Sequence, residues 1–465
     1  MRKGCVSMKR LLMMVLVLLS LMVAAQAEVL SAGPADSGLP SLTETLAAAQ
    51  DGDEIELADG VYGSAREVFP IIVDKAVTIR PAEGAVPVIV SPRQSNAMEI
   101  TGAGAVVKGL RFDHIRCGVW ILADDVTVAD CTITLVDEKW RTSSSGMWIA
   151  GAKRATLTGC TFEGCGVSVA GPPVSDSSVG IPVLTAMFEV GEDIEFFTTH
   201  TVENNTVNGR PLCYLISGKE LTWTEEVGQI IAVDCENVTF SGLNTDFASI
   251  GIQLAYCQNV TVENCSANDC GIFGIYIMKT DDCIIRGTRA DRGAHGIDVR
   301  DADRVLIEDC ITNECGQGTF LSWGRNCLVT NCEIVNNGTG FFSASGGDNH
   351  VDASRIEGNE LGLYVQHEDL FTLTDTLVKS NSACGLRATD SGVISIGNTF
   401  ADNFVGHLAL DCYPLTHEDC TWTNSEDCDM FVRNGKAIKL VHNVFDAELT
   451  DSCQFNGSEP FVLAD

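Results

Sequence analysis

Residues 243–403 repeat themselves about every 22 residues, which leaves few folds open to the chain. A first column recurs at steps of 22 or 23 residues, at Leu243, Cys265, Thr288, Cys310, Cys332, Ser354, Thr376 and Asn398. A second column contains Cys270, Cys315, Asn337, Asn359, Asn381 and Asn403. A fixed period of this size indicates a solenoid, in which each repeat buries its apolar face against its neighbours.

The composition of each repeat separates two kinds of solenoid. A leucine-rich repeat has a similar period but needs a helical arm, whereas these repeats carry β-branched pairs, glycine and Asn, Asp or Ser turns. The unit Asn259-Val-Thr-Val-Glu-Asn-Cys, followed by Gly274-Ile-Tyr-Ile, alternates as short strands do. The repeats therefore predict an all-β chain folded as a right-handed parallel β-helix. Each coil has about 22 residues, and equivalent side chains stack about 4.8 Å apart.

The first 27 residues have the pattern of a secretory signal peptide. Lys9 and Arg10 precede an apolar run at 11–23, and Ala25-Gln26-Ala27 is a small-residue cleavage site. We expect cleavage after Ala27 and a protein that is secreted, periplasmic or held at the cell surface. No later stretch predicts a membrane span.

The net charge limits the partners that the chain can have. Removal of residues 1–27 takes away four basic and no acidic residues, and leaves a net charge of −37. This charge excludes nucleic acid and argues against an anionic membrane surface. It also disfavours a strongly anionic polysaccharide, unless Ca²⁺ bridges the ligand and the protein.

The two ends of the chain and one central stretch depart from the repeat. Ser41-Leu-Thr-Glu44 predicts a capping box and a short helix through Gln50, within an N-terminal cap at 28–104. Regular coils are expected at 105–410, with an edge loop at 136–145 that bears Trp140 and Arg141. Residues 167–233 predict an irregular insertion, and 411–465 predict a C-terminal cap.

The cysteines follow the repeat more closely than they follow any pairing pattern. Without Cys5 their number is 19, which is odd, and many share one repeat phase. We therefore expect buried thiols in internal ladders, with disulfides as the alternative for a secreted chain. Three cysteines and three histidines lie close together in the sequence of the C-terminal region. They could form a soft-metal site of the kind that binds copper, or the cysteines could form disulfides or be free thiols of a C-terminal cap. These residues are Cys412, Cys420, Cys428, His407, His417 and His442.

Two runs carry a family resemblance. They are Asn205-Thr-Val-Asn-Gly-Arg-Pro-Leu-Cys-Tyr-Leu and Gly228-Gln-Ile-Ile-Ala-Val-Asp-Cys-Glu-Asn-Val-Thr, and Gln50-Asp-Gly-Asp-Glu-Ile with Asp59-Gly-Val-Tyr supports them. They resemble the NosD-like β-helix proteins of the pectin-lyase-like superfamily, which are also described as carbohydrate-binding and sugar-hydrolase repeats. The resemblance covers roughly residues 41–410 and implies the fold, with copper or carbohydrate as ligands. It implies no single activity, because this superfamily includes lyases, hydrolases and adhesins.

One outward column is the main candidate for ligand binding. If the residue after each repeat glycine points inward, the next residue points outward. The outward column then contains Trp120, Trp148, Gln253, Tyr276, Asp298, Phe320, Phe342, Tyr364 and Arg387. Exposed aromatic side chains in register form a strip on which sugar rings stack. The alternatives are that the 167–233 insertion or another subunit covers the strip, or that an inverted strand phase places it in the core.

The sequence gives weaker evidence for catalysis than for ligand binding. A glycosidase needs two carboxyl groups across the scissile bond. His295-Gly-Ile-Asp-Val looks like a polygalacturonase segment, but His295 stands at the position of that family's catalytic Asp, so this mechanism is disfavoured. A polysaccharide lyase needs a base and a group that neutralises the substrate carboxylate, often Ca²⁺. Lys279, His295, Asp298 and Arg300 could form such a cluster, or they could be solvated turn residues.

The sequence therefore predicts a secreted β-helix protein that binds, and in one alternative processes, an extracellular polysaccharide. The first alternative is a polysaccharide lyase or glycoside hydrolase centred on His295, Asp298 and Arg300. The second is a non-catalytic surface scaffold or a copper-binding protein. The glycan, the metal and the oligomeric state are left open.

Overall fold

The computed structural model describes residues 27–92, 95–115, 117–135, 144–172, 193–446, 452–459 and 462–464. The predicted signal peptide lies outside the described residues, apart from Ala27. The same holds for Trp140 and Arg141 of the predicted edge loop and for residues 173–192 of the predicted insertion.

The described residues form parallel strands in two successive stacks of coils. The first stack contains β1 (Val29–Ala32), β2 (Glu54–Leu57), β3 (Gly60–Gly63), β4 (Ile71–Val73), β5 (Thr78–Pro81), β6 (Pro87–Val90), β7 (Asn96–Ile100), β8 (Val106–Lys108), β9 (Arg111–Ile115), β10 (Cys117–Ile121), β11 (Thr127–Ala129), β12 (Thr132–Leu135), β13 (Ser145–Ala150), β14 (Thr156–Thr158), β15 (Thr161–Glu163), β16 (Val167–Ala170), β17 (Thr201–Glu203) and β18 (Thr206–Val207). We name its sheets A (β1, β2, β5, β8, β11, β14, β17), B (β3, β6, β9, β12, β15, β18) and C (β4, β7, β10, β13, β16).

The second stack has a more regular period. It contains β19 (Arg210–Ile216), β20 (Lys219–Trp223), β21 (Gln229–Val233), β22 (Glu236–Ser241), β23 (Ile250–Ala255), β24 (Thr261–Glu263), β25 (Phe273–Met278), β26 (Ile284–Arg286), β27 (His295–Arg300), β28 (Leu306–Glu308), β29 (Ile311–Asn313), β30 (Gln317–Ser322), β31 (Leu328–Thr330), β32 (Glu333–Val335), β33 (Thr339–Ala344), β34 (Asn349–Asp352), β35 (Arg355–Glu357), β36 (Leu361–Gln366), β37 (Phe371–Thr374), β38 (Leu377–Lys379), β39 (Cys384–Thr389), β40 (Val393–Ile396), β41 (Thr399–Ala401), β42 (Val405–Leu410), β43 (Leu415–Glu418), β44 (Thr421–Thr423), β45 (Cys428–Arg433), β46 (Ile438–Val441), β47 (Cys453–Asn456) and β48 (Val462–Ala464).

The second stack has three sheets, and the coils from β27 to β44 contribute in turn to all three. Sheet D contains β19, β21, β23, β25, β27, β30, β33, β36, β39, β42, β45 and β47. Sheet E runs from β20 to β48, and sheet F contains β29, β32, β35, β38, β41 and β44. From β21 to β39 of sheet D, residues in register on neighbouring coils are 22 or 23 positions apart, as for Tyr276, Asp298 and Phe320. The predicted right-handed parallel β-helix with coils of about 22 residues is confirmed.

The two predicted columns lie inside the coils as hydrogen-bonded ladders. Oδ1 of Asn359 accepts from the backbone N–H of Asn337 at 2.8 Å, and its Nδ2 donates to the carbonyl of Ile334 at 3.1 Å. In the other column the thiol of Cys332 donates to the carbonyls of Ile307 and Thr330. Small polar side chains recur at these positions because every turn inside a coil leaves backbone groups that need a partner.

Eighteen cysteines of the described residues are buried thiols. The prediction of buried ladder thiols is therefore confirmed for these residues. The thiol–carbonyl contacts explain the pattern, because a thiol can replace Ser, Thr or Asn as a weak donor at the same turn.

The N-terminal helix packs against β1 and β4 at the start of the first stack. Helix α1 (Leu42–Ala48) begins at a capping box in which Ser41 accepts from the N–H of Glu44 and Glu44 accepts from the N–H of Ser41. The second described helix is α2 (Glu195–Thr198). Neither helix of the described residues is long and apolar enough to cross a membrane.

The stretch predicted as an irregular insertion contains the junction between the stacks. Strands β16 to β21 and helix α2 fall within 167–233, and β18 pairs with β19 in antiparallel orientation where one stack ends and the next begins. The last strand of sheet C, β16, meets the outer face of sheet D there. The stacks are therefore joined by the backbone pairing of β18 with β19 and by side-chain contacts between sheet D and β16.

The coils also continue beyond residue 410. Strands β43 to β48 pair in parallel with the strands before them, so the residues predicted as a C-terminal cap extend the second stack. The period is hard to see there because larger side chains fill the interior, for example Trp422 and Met430.

Candidate functional site

The outer face of sheet D carries the predicted column in the predicted phase. The residues that follow the repeat glycines point inward and are buried, as Ile275, Phe341 and Leu363 show. The next residues point outward and lie in register on adjacent strands. From β30 onward this column is half-buried, and we call it the strip; it consists of Phe320, Phe342, Tyr364, Arg387, Leu408 and Phe431.

The first part of the predicted column is not exposed. Tyr276 on β25 is 1% exposed, and its ring stacks on that of Phe273 at 4.6 Å between centroids. Trp120 and Trp148 are 4% and 1% exposed and belong to sheet C of the other stack, where they pack on each other. The prediction that these three aromatic side chains are exposed is wrong. The predicted column is divided between sheets C and D, and its members from Trp120 to Asp298 are all buried.

The rings of the strip pack on one another along the coil axis. Phe320 and Phe342 are stacked, with 4.9 Å between centroids and 8° between planes. The ring of Tyr364 meets Phe342 at 79°, and the guanidinium of Arg387 lies 4.8 Å from the Tyr364 centroid. Because stacked rings cover each other's faces, the strip presents a narrow apolar ridge of ring edges. The flat platform that the sequence predicts is not what the rings form.

Polar atoms without partners flank this ridge. Four side-chain atoms on the outer face are buried and lack a hydrogen-bond partner among the described residues: Gln317 Oε1, Ser322 Oγ, Arg387 Nε and Thr389 Oγ1. They lie on β30 and β39, beside or within the strip. A buried polar atom left unpaired costs about 1–3 kcal/mol, so a ligand that supplies the missing partners gains affinity.

A buried charged cluster lies where the strip meets the covered part of the face. Arg300 Nε lies 2.6 Å from Asp298 Oδ1, and its Nη2 lies 2.8 Å from Oδ2. Both side chains are fully buried, and Nδ1 of His295 lies 2.7 Å from Asp298 Oδ2. The His295 ring is 5.8 Å from that of Phe320, which is the first member of the strip.

The electrostatics of the cluster keep Asp298 ionised. Burial alone raises the pKa of a carboxyl group, but the charge and hydrogen bonds of Arg300 and the contact with His295 hold the pKa of Asp298 below its ordinary value. Arg300 also lies over apolar rings, 4.9 Å from the Phe320 centroid. The ionised Asp298 lies beside Nδ1 of His295, but this contact does not have the geometry of a hydrogen bond, and Nδ1 has no hydrogen-bond partner among the described residues.

Lys279 is not part of this cluster. Its ammonium lies 3.4 Å from Asp301 at the turn between sheets D and E. That turn lines an open cavity of about 470 Å³ together with Asp281 and Asp303. The structure therefore brings together His295, Asp298 and Arg300 of the predicted catalytic residues. It places Lys279 at the turn, because the chain leaves β25 at Met278.

Several residues of this face were not predicted from the sequence. Leu408 and Phe431 continue the column, and Gln317, Ser322 and Thr389 supply the unpartnered atoms. The signal for Leu408 was the sequence Gly406-His-Leu, which repeats the pattern of glycine, inward residue and outward residue. No comparable signal marks Ser322 or Thr389, because their importance depends on side-chain burial.

The described residues give no support to a metal centre. Within the ranges that the structure describes, no three His, Cys, Asp or Glu side chains come together as a metal-binding group. His407 and His417 point into one coil and contact each other, and both are fully buried. Calcium and copper stay predictions from the sequence.

A family model and several solved structures are similar to this chain. The family model described as "Right handed beta helix region" matches residues 198–356 and 346–463. No curated protein matches the sequence. Among solved structures, the periplasmic alginate epimerase AlgG has 14% identity and a TM-score of 0.36, over 78% of this chain and 83% of that chain. The Azotobacter vinelandii mannuronan C-5 epimerase AlgE4 A-module has 12% identity and a TM-score of 0.37, over 89% and 90%.

Proposed function

The chain belongs to the right-handed β-helix family, and we propose that it uses this scaffold to bind an extended polysaccharide along the strip. One observation carries the proposal: a ridge of aromatic side chains is half-buried and is flanked by buried polar atoms without partners. Sugars have both apolar C–H faces and hydroxyl groups, so they satisfy both features at once. The regular spacing of coils, about 4.8 Å, suits a ligand with a short linear repeat.

The charge of the protein supports a neutral ligand. With the predicted signal peptide removed, the net charge is −37, and Arg387 is the only basic member of the strip. An anionic polysaccharide would be repelled over its whole length. The predicted signal peptide supports a location outside the cytoplasm, where such polymers occur.

We expect the variant Phe342→Ala/Tyr364→Ala to bind a neutral polysaccharide at least about tenfold more weakly, because both substitutions remove ring area from the centre of the ridge. A glycan array identifies the ligand, and calorimetry on the best neutral oligosaccharide measures its affinity. The matched control is Trp323→Ala, since Trp323 is 52% exposed and follows β30 but lies outside the strip.

An equal loss in Trp323→Ala and in the double variant would show that binding is not localised to the strip. Binding that survives in the double variant would overturn the proposal outright. A thermal melt of each variant confirms that the coils are intact.

A second candidate function is proton transfer at His295. It is favoured by the 2.7 Å contact between His295 Nδ1 and Asp298 Oδ2 beside the first ring of the strip. A general base needs a titratable ring beside the bound substrate, and a nearby carboxylate can stabilise the protonated ring that forms. The substrate would be a polysaccharide that the strip holds. Hydrolysis of a neutral chain would give a new reducing end, whereas elimination would give an unsaturated end and needs a chain that contains uronate residues.

If His295 is a base, His295→Gln lowers the rate of product release by about 10²–10⁴-fold and leaves binding to the strip unchanged. The assay follows absorbance of unsaturated ends and the concentration of reducing ends on each glycan that binds. Release at an unchanged rate in His295→Gln would exclude this role. Absence of release by the unsubstituted protein on every glycan that binds would leave binding as the function.

A further inference from the structure

Sheet D already holds one extended chain on its outer face. That chain is β16, whose free edge lies over β21 and β23. The side-chain amide of Gln229 accepts from the N–H of Val167 at 2.9 Å and donates to its carbonyl at 2.5 Å. Gln253 does the same with Val169, at 3.3 Å and 2.7 Å. The outer face thus recognises an extended chain through its amide groups.

This pairing uses a specific property of the amide group. A glutamine side chain offers one N–H donor and one carbonyl acceptor in one plane, and a peptide unit offers the complementary pair. A hydroxyl group can occupy either position but does not present both with this separation. The contact with β16 therefore shows which chemistry the face is built to hold at its covered end.

The same face continues into the strip. Gln253 is in register with Tyr276, Asp298 and Phe320, so the strip begins three coils after it in one column. Next to Phe320, Gln317 presents a buried Oε1 without a partner, and this atom can only accept a hydrogen bond. Further along, Nε of Arg387 is a buried donor without a partner. The exposed part of the face thus offers an acceptor and a donor beside an apolar ridge.

We infer that the polysaccharide bound along the strip carries N-acetylamino groups. The N–H of one N-acetyl group donates to Gln317 Oε1, and its methyl group packs on the edges of Phe320 and Phe342. The carbonyl of an N-acetyl group on a later sugar of the same chain accepts from Arg387 Nε. The inference rests on the proposed function and names the class of its ligand. It also fits the acidic charge of the protein, since an N-acetylated sugar is neutral.

The test uses three hexasaccharides that share one β-1,4-linked glucose framework and differ at carbon 2. The N-acetylated hexamer should bind at least about tenfold more tightly than the hydroxyl hexamer, measured by calorimetry. The free-amine hexamer separates an effect of charge from an effect of the amide, and it should also bind more weakly than the N-acetylated one.

Two variants tie the preference to Gln317. Gln317→Leu removes the acceptor at similar size and should reduce the preference to less than about threefold, whereas Gln317→Glu keeps an acceptor oxygen and should retain it. Trp323→Ala is again the matched control and should leave the preference unchanged. Thermal melts show that each variant is folded.

Equal binding of the N-acetylated and hydroxyl hexamers would overturn the inference and leave the proposed function standing. Tighter binding of the free-amine hexamer would overturn it in favour of charge recognition. If no hexamer binds while another neutral glycan on the array does, the inference fails alone. If no glycan binds and an extended, end-capped peptide does, both fail, and the face is a peptide-binding surface.

Discussion

Replacing Asp298 with alanine is expected to lower the free energy of unfolding by about 3–5 kcal/mol, because it leaves Arg300 in the protein interior without its carboxylate. Both side chains are fully buried, and two hydrogen bonds at 2.6 and 2.8 Å join them. Taking a charge out of water is unfavourable unless an opposite charge compensates it. Few substitutions on the outer face should have a larger effect.

The appropriate control removes both charges. Arg300→Met keeps the length and apolar body of the side chain, and the double variant Asp298→Ala/Arg300→Met leaves no buried charge in the pair. We expect the double variant to be more stable than Asp298→Ala alone, since the penalty comes from the uncompensated guanidinium. Urea denaturation followed by circular dichroism measures the midpoints. A loss below about 1 kcal/mol in Asp298→Ala would mean that water reaches the pair.

The interior of the coils was predictable from the sequence because its rule is local. A residue at a turn inside a coil must be small and must satisfy a backbone group of the next coil. Cys310, Cys332 and Ser354 meet this condition at identical spacing, and the structure places them in one ladder. The repeat therefore shows which residues of neighbouring coils are in register. The length of a coil and the choice of inward and outward residues follow from this register.

The extent of the exposed face was not predictable in the same way. The repeat tells which residues share a face, but it does not tell which part of that face another segment covers. Gln229 and Gln253 are buried because β16 returns to lie against them, and this contact joins residues more than sixty positions apart. Nothing in the spacing of the two glutamines signals it.

The sequence predicted that Asp298 and Arg300 lie together, but it did not predict that both side chains are buried. Asp298 and Arg300 are two residues apart on one strand, so alternation places both on the outer face. Their complete burial depends on packing around Phe273, Tyr276 and Phe320. Lys279 was grouped with them because it is basic and close in the repeat. It follows the end of its strand, however, and has a left-handed backbone conformation, with φ of 44°, that turns the chain away.

A loss of stability in mild acid is the second large effect that we expect. His407 Nδ1 and His417 Nε2 are 2.9 Å apart inside one coil, and both side chains are fully buried. The other ring nitrogen of each histidine has no hydrogen-bond partner among the described residues. Burial lowers the pKa of His407 from 6.5 to about 3, and burial together with the charge of His407 lowers the pKa of His417.

The sign of the effect follows from where the protons bind. Above pH 6.5 both histidines are neutral in the folded and in the unfolded chain, so the pair has no pH-dependent effect there. Below pH 6.5 the unfolded chain takes up protons that the folded chain excludes, so unfolding becomes more favourable. The free energy of unfolding should fall by about 1.4 kcal/mol per pH unit for each histidine that stays neutral when folded. For His407 this continues until the pH approaches 3.

The neighbouring coils supply the matched variant for this measurement. Leu386 is in register with His407, and Ser395 is in register with His417. The variant His407→Leu/His417→Ser therefore reproduces side chains that the same interior already accommodates. We expect its stability, measured by urea denaturation between pH 7 and 4.5, to fall less steeply than that of the unsubstituted protein.

The comparison isolates the pair because other titrating groups are common to both proteins. His200, whose pKa burial lowers, contributes a slope of the same sign to each, and Glu368, whose pKa burial raises, contributes the opposite sign to each. Equal slopes would mean that water or a proton reaches the interior histidines. A steeper fall in the unsubstituted protein would show that this coil keeps two imidazoles neutral at the expense of acid stability.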